Sequence, residues 1–167
     1  PTMAGIAENP KLFRDKMAVN KGQVKGSYDF ATKKATLEKS AFEFADGFKL
    51  DASGYMTEQG DIKATANVHH MQIENLNKYW PVDVGNNAID WINQHLSKGI
   101  INKGTAKVDI KGADIKAGNV PAAAVDFNFD VAAMDVNYVD FLLPVLGASG
   151  TAHMDANSLK INVGSGK

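Results

Sequence analysis

Apolar and polar residues alternate along most of this chain, and that spacing limits what it can fold into. From Ile62 to Val68, for example, every second residue is apolar and the residues between are polar. Because successive side chains of a β-strand point to opposite faces, this spacing predicts strands with one apolar face. Short turn sequences separate the runs, and one of them, Asp46-Gly47, is a strong signal for a two-residue hairpin loop. The turns are too short for parallel crossovers, so we predict an antiparallel meander.

A sheet of about eight such strands cannot leave its apolar face in water. It must curl over on itself, pack under a helix or hold an apolar ligand. The fold class predicted here is therefore mainly β, with a curved antiparallel meander sheet that forms a β-groove. The alternation changes parity between Leu37 and Phe42, which predicts a β-bulge. The residues expected to line the groove are Val108, Ile110, Val125, Phe127, Phe129 and Val136.

One segment, near residues 86–98, has helical periodicity. Ile89, Ile92 and Leu96 stand at positions i, i+3 and i+7, which places them on one face of a helix. Gly99 follows at the position where a left-handed residue commonly ends a helix. We expect one amphipathic helix, docked on the sheet or across its open end through those three side chains.

Length and composition predict a single β-rich module over 1–167. The net charge of −1 gives no reason to expect a nucleic-acid partner, and the absence of cysteine excludes disulfides and thiolate zinc sites. The segment from Lys11 to Lys39 contains eight basic and three acidic residues, whereas residues 113–167 contain six aspartates and three lysines. Two solvated faces of different charge explain this asymmetry, as does a basic end that approaches anionic lipid.

The sequence favours a protein without catalytic chemistry. His69 and His70 are adjacent, so in a strand they point to opposite faces and cannot hold one metal ion together. The aspartates that alternate with Phe127 and Phe129 are expected to point outward and to solubilise the sheet. We therefore predict no enzyme activity, no metal and no cofactor.

The apolar segment Phe141–Leu146 contains a proline in a turn position. An exposed apolar segment of this kind would promote aggregation, so burial under the sheet edge is the simpler interpretation. The alternative is that it faces an acyl chain or a neighbouring repeat.

A group of short motifs gives the chain a family resemblance. They are Tyr79-Trp80-Pro81, the helix with Trp91-Ile92, the strand that closes at 108–112, and the turn Leu143–Gly150 that leads into 152–159. With these motifs, the region from about Phe48 to Lys167 resembles the AsmA-like family of bacterial envelope proteins. The resemblance is to the branch that contains YhdP, and TamB is a more distant relative.

The resemblance implies a fragment of a large, repeat-built periplasmic protein, tethered to the inner membrane by a segment outside this chain. It further implies phospholipid transport between inner and outer membranes and a role in outer-membrane integrity. The expected partners are phospholipid acyl chains, neighbouring repeats of the same chain and the membrane through the parent protein. The alternative is a structural or adhesive β-module of an envelope protein with a closed core.

Overall fold

Hydrogen bonding between consecutive strands builds one open sheet. The computed structural model describes residues 3–8, 10, 13–80, 82, 86–137 and 143–165, with the backbone alone at 86–88. All nine strands are antiparallel, and their order in the sheet is their order in the chain. The strands are β1 (Met3–Ala7), β2 (Met17–Asp29), β3 (Lys34–Phe44), β4 (Lys49–Thr57), β5 (Ile62–Gln72), β6 (Leu96–Ile110), β7 (Val125–Val136), β8 (Val145–Met154) and β9 (Leu159–Ser165). The prediction of a mainly β antiparallel meander is confirmed.

The turn chemistry read from the sequence forms the expected hairpin between β3 and β4. Gly47 has φ +87°, and its N–H donates to the carbonyl of Phe44 at 3.0 Å. The N–H of Phe44 donates to the carbonyl of Phe48 at 2.9 Å, so the loop has three residues and not two. The predicted bulge in β3 is also present, because Lys39 pairs with Lys25 while Leu37 pairs with the next residue, Gly26.

The main helix is shorter than predicted. It runs over Asn86–His95 (α2), and Leu96 already belongs to β6, where it pairs with Val136. Asn137 holds this junction, because its N–H donates to the carbonyl of His95 at 2.8 Å. Gly99 therefore lies inside a strand and does not cap the helix. Its φ of +141° lets the strand pass Met134 so closely that a Cβ would lie 2.8 Å from the Met134 Cα.

Additional short helices complete the fold. A 3-10 turn at Ile73–Asn75 leads into α1 (Leu76–Tyr79), and α3 (Gly112–Ala117) and a 3-10 turn at Ala122–Ala124 join β6 to β7. We call the segments 73–80 and 86–95 together the helical cap. The cap covers one end of the sheet, where buried side chains of both form the core. Its largest members are Met17, Val19, Phe44, Phe48, Met71, Ile73, Leu76, Ile89, Ile92, Leu96, Ile101, Val131, Met134 and Val136.

The predicted docking of the helix is confirmed. Ile89 is 1% exposed, and Ile92 and Leu96 are equally part of the core. The apolar segment before β8 differs from the favoured interpretation, since Leu143 is 88% exposed and Leu146 50% exposed. Val145, the first residue of β8, packs against the core, whereas Leu143 before the strand and Leu146 next to Val145 within it do not; Phe141 and Leu142 lie outside the described residues.

Candidate apolar binding face

The sheet has one continuous apolar face, which the strand register lays out in four rows. Residues of one row pair directly from strand to strand and so share a face. The first row is Gly22, Phe42, Leu50, Val68, Gly104, Phe129, Ala152 and Ile161, and the second is Val24, Ser40, Ala52, Ala66, Ala106, Phe127, Met154 and Leu159. The third is Gly26, Leu37, Gly54, Ala64, Val108 and Val125, and the fourth is Tyr28, Ala35, Met56, Ile62 and Ile110. We call these four rows the apolar face.

Polar groups are rare on this face. Ser40 and Tyr28 are the polar side chains in the four rows. Ser40 is buried, and its hydroxyl donates to the carbonyl of Ala52 at 3.1 Å, so the group is satisfied within the sheet. A surface of this composition gains free energy from contact with hydrocarbon and offers little to a polar ligand.

The residues that the structure describes cover one end of the apolar face and leave the other uncovered. The first row packs partly against the core under the helical cap, whereas the third and fourth rows are not part of that core. At the uncovered end Met56 is 52% exposed, and Val24 and Tyr28 are exposed to a similar extent. The molecule thus presents apolar side chains to its surroundings on the same face that it uses for its core.

An apolar cavity of about 160 Å³ lies between the helical cap and the sheet. From the cap it is lined by Ile73, Leu76, Tyr79, Trp80, Ile92 and the adjoining Leu96. From the sheet it is lined by Val68, Met71, Ile101, Ala106, Phe127, Phe129, Val131, Met134, Ala152, Met154, Leu159 and Ile161. The cavity therefore lies where the covered and the uncovered parts of the apolar face meet.

Asp46, in the β3–β4 turn, holds the first part of the helical cap in place. Its carboxylate accepts hydrogen bonds from the Tyr79 hydroxyl at 2.8 Å and from the Asn75 amide at 3.1 Å. The Tyr79 ring packs on Phe44 and Phe48, with centroids 4.8 and 4.5 Å apart. Burial, together with the hydrogen bond to Asp46, raises the pKa of Tyr79 above its ordinary value.

The second part of the cap is tied to the first by a pair of amides. Asn77 and Asn93 donate to each other's side-chain oxygens at 2.8 and 3.0 Å. Within α2, the rings of Trp91 and His95 lie 4.7 Å apart. The cap is therefore one connected unit, anchored to the sheet by apolar packing and to the β3–β4 turn by Asp46.

Gly104 leaves room on the apolar face for the side chains of Val68 and Phe129, its partners in the first row. A Cβ at Gly104 would stand 2.5 Å from the Phe129 Cδ1 and 2.9 Å from the Val68 Cγ2. Only glycine fits here without moving one of these side chains. The ring of Phe129 thus lies next to Gly104 in the first row, and the ring of Phe127 lies beside it at a centroid distance of 6.2 Å.

The opposite face of the sheet is polar, as predicted for the aspartates of β7. Asp130 pairs with Lys103 at 3.1 Å, Asp135 with Lys98 at 3.2 Å, and the Asp126 carboxylate lies 3.5 Å from the His153 Nδ1. The backbone N–H of Gly147 lowers the pKa of Asp135, and the Lys98 ammonium lowers it further by a smaller amount. These contacts are partly exposed, so each contributes little to stability and mainly keeps this face hydrated.

The structure brings five of the six predicted groove residues together on the apolar face. Val108, Ile110, Val125, Phe127 and Phe129 are all half-buried there, and the last two line the cavity. Val136 is placed differently, because it is 6% exposed and lies in the core next to Leu96. Sequence reasoning missed the cap residues of the cavity, Ile73, Leu76 and Tyr79, because two short helical turns leave no periodic signal.

The structure and the comparisons with known proteins define a class and no family. The chain is an open antiparallel β-meander protein with a helical cap over one end of its apolar face. It matches no protein-family model, no curated protein and no solved structure. Among the described residues, no group of histidine and acidic side chains is arranged to hold a metal ion, and no helix is long and apolar enough to cross a bilayer.

Proposed function

We propose that this chain is a non-catalytic β-groove module that shelters the acyl chains of phospholipids. The observation that carries this proposal is the apolar face, which runs without interruption from the packed core to an uncovered end. Burying hydrocarbon contributes about 0.8 kcal/mol per methylene, so such a face holds a lipid tail without any specific polar group.

The biological setting of the proposal comes from the resemblance to the AsmA-like family. In that setting the module is part of a larger periplasmic protein tethered to the inner membrane, it adjoins further repeats of the same chain, and it contributes to phospholipid transport and outer-membrane integrity. The half-buried aromatic and aliphatic residues Val108, Ile110, Val125, Phe127 and Phe129 support the ligand part of the proposal.

Photo-crosslinking tests the proposal directly. We expect a benzophenone amino acid at Val108 or Phe127 to capture phospholipid from vesicles, because both positions lie on the apolar face. Matched probes at Lys107 and Asn128, the exposed neighbours on the polar face, should capture none. Mass spectrometry of the adducts measures the outcome. Equal labelling on both faces, or none on either, would contradict the proposal.

A structural or adhesive module with a closed core is the second candidate. The packing of Ile89, Ile92 and Leu96 over one end of the sheet favours it, since that part of the apolar face is already covered. Native mass spectrometry separates the two functions. Protein that carries co-purified phospholipid supports the groove, and clean apoprotein that gains no lipid from vesicles supports the structural module.

A further inference from the structure

We propose that the cavity under the helical cap is a terminal site that receives the methyl end of a single acyl chain. The rest of that chain then lies along the uncovered rows of the apolar face, with its polar end farthest from the cap. The inference rests on the proposed function, and it adds the direction in which the chain binds.

The burial of the lining residues gives the cavity a closed and an open side. Met71, Ile101 and Met134 line it within the core and are almost fully buried. Phe127 and Leu159, which belong to the second row, line it toward the uncovered face and are half-buried. A ligand therefore enters from the uncovered rows and ends against the core.

The chemistry of the lining decides which end of a lipid enters. The lining side chains are aliphatic, aromatic or thioether; their polar hydrogens are the Tyr79 hydroxyl, which donates to Asp46 outside the cavity, and the Trp80 indole N–H. A carboxylate or phosphate here would give up its full hydration for one indole N–H at most, which is strongly unfavourable. Only the hydrocarbon end of a lipid suits this cavity.

The size of the cavity limits how much of the chain it takes. At about 160 Å³ it resembles the apolar cavities of ~150 Å³ that take up benzene, and it is smaller than pockets of ~300 Å³ or more that hold whole ligands. It therefore accommodates the last few carbons of one chain, and the remaining carbons must lie outside it.

Benzene tests the cavity without a lipid. Ala106 lines the cavity, whereas Ala66, its direct partner on β5, lies in the same row at similar burial but does not line it. We expect benzene to raise the Tm of the wild type and of Ala66→Leu, and to leave the Tm of Ala106→Leu unchanged. Ala106→Met, with a more flexible side chain, serves if the leucine variant does not fold. Equal benzene responses in the Ala106 and Ala66 variants would overturn the inference.

The direction of binding is tested with two fluorinated palmitates, one with a trifluoromethyl terminus and one with fluorine beside the carboxylate. In fluorine NMR with a water-soluble paramagnetic quencher, we expect the terminus to be protected and the carboxyl end to be quenched. Ala106→Leu should remove the protection and weaken binding about fourfold for each methylene displaced.

The two proposals fail in different ways. Palmitate that crosslinks at Val108 while its terminus is quenched as strongly as its carboxyl end would refute the terminal site and leave the groove intact. Palmitate that neither crosslinks at Val108 nor binds in the NMR experiment would refute both.

Discussion

At the scale of single residues, Asp46 joins two parts of the chain that lie far apart in sequence. Its carboxylate accepts from Asn75 and Tyr79, 29 and 33 residues away, and also from the N–H of Phe48 at 3.3 Å. The same residue therefore shapes the β3–β4 turn and holds the helical cap beside the cavity. Its place in a turn could be predicted from the dipeptide Asp46-Gly47, but its distant partners could not, because nothing local encodes them.

The Tyr79 hydroxyl makes alkaline stability depend on this contact. Its pKa is higher in the folded protein than the value of about 10 in an unfolded chain, because burial and Asp46 favour the neutral form. The stability tied to the neutral hydroxyl is present below about pH 10 and is lost as the pH rises above it. We expect Tyr79→Phe to reduce the loss of unfolding free energy between about pH 8 and pH 11, measured by urea denaturation.

Tyr28→Phe is the control for this experiment. Tyr28 is 51% exposed and lies at the uncovered end of the apolar face, away from Asp46. Its replacement should leave the pH dependence of the wild type unchanged. Identical slopes for Tyr79→Phe and the wild type would show that the hydroxyl does not contribute to alkaline instability.

At the scale of elements, docking of the helical cap depends on the apolar side of α2. Ile92 is 8% exposed in the core, whereas Gln94 on the same helix faces water. Ile92→Asp places an unpaired charge in an apolar contact and should destabilise the protein by about 3 kcal/mol or more. Gln94→Asp, exposed in the last turn of α2, should cost about 1 kcal/mol or less. If the cap is docked as described, Ile92→Asp must lower the free energy of unfolding more than Gln94→Asp does.

Intrinsic fluorescence measures this prediction at the cap itself. The chain has two tryptophans, Trp80 and Trp91, and both belong to the helical cap. Chemical denaturation followed by fluorescence therefore reports cap loosening, while circular dichroism reports the sheet. Should Ile92→Asp unfold like the wild type by both probes, the docking described here would be wrong.

Element by element, the sequence predicted what local chemistry determines. The alternation in β4 and β5, the turn at Gly47 and the bulge after Leu37 follow from short-range rules, and all three are present. The end of α2 was predicted three residues too late, because Leu96 satisfies a helical pattern and a strand pairing equally well. The pairing of Leu96 with Val136 places Leu96 in the strand, and no local rule predicts a pairing between residues so far apart in sequence.

At the scale of the whole molecule, aspartates at the ends of strands make the fold sensitive to acid. Backbone N–H donors lower the pKa of Asp61 (from Gly112), Asp29 (from Thr32) and Asp155 (from Asn157), and the Lys63 ammonium lowers that of Asp109. Because these pKa values are lower folded than unfolded, their contribution is present above about pH 4 and is lost as the pH falls through the folded values.

We therefore expect the unfolding free energy to be flat at neutral pH and to fall below about pH 4. Asp61→Asn should weaken this acid dependence, because Asp61 accepts from the N–H of Gly112 at 2.9 Å and contacts the Lys111 ammonium at 3.3 Å. Asp90→Asn, an exposed position on α2, is the matched control. Urea denaturation across the acid range measures both, and parallel curves for the two variants would contradict this assignment.

Only part of the candidate site could be predicted from the sequence. The alternation in β6 and β7 identified Val108, Phe127 and Phe129 as residues of one face, and the structure places them together. It could not show which rows of that face the cap covers, so Val136 was assigned to the open groove although it is buried. Which rows are covered depends on where the helices of the cap pack, and that position is determined only once the sheet has assembled.

The strand order has a consequence for how the molecule forms. Each strand pairs with its neighbour in the chain, and most pairings close a short connection, whereas the pairing of β5 with β6 must close over residues 73–95. The strands β1 to β5 and the strands β6 to β9 are thus expected to pair one hairpin at a time, at little entropic cost per step, and the two groups to join last through β5 and β6. Asp46 and Tyr79 lie 33 residues apart, and the cap lies within the β5–β6 connection, so the cap and its cavity should form together with the pairing of these two strands.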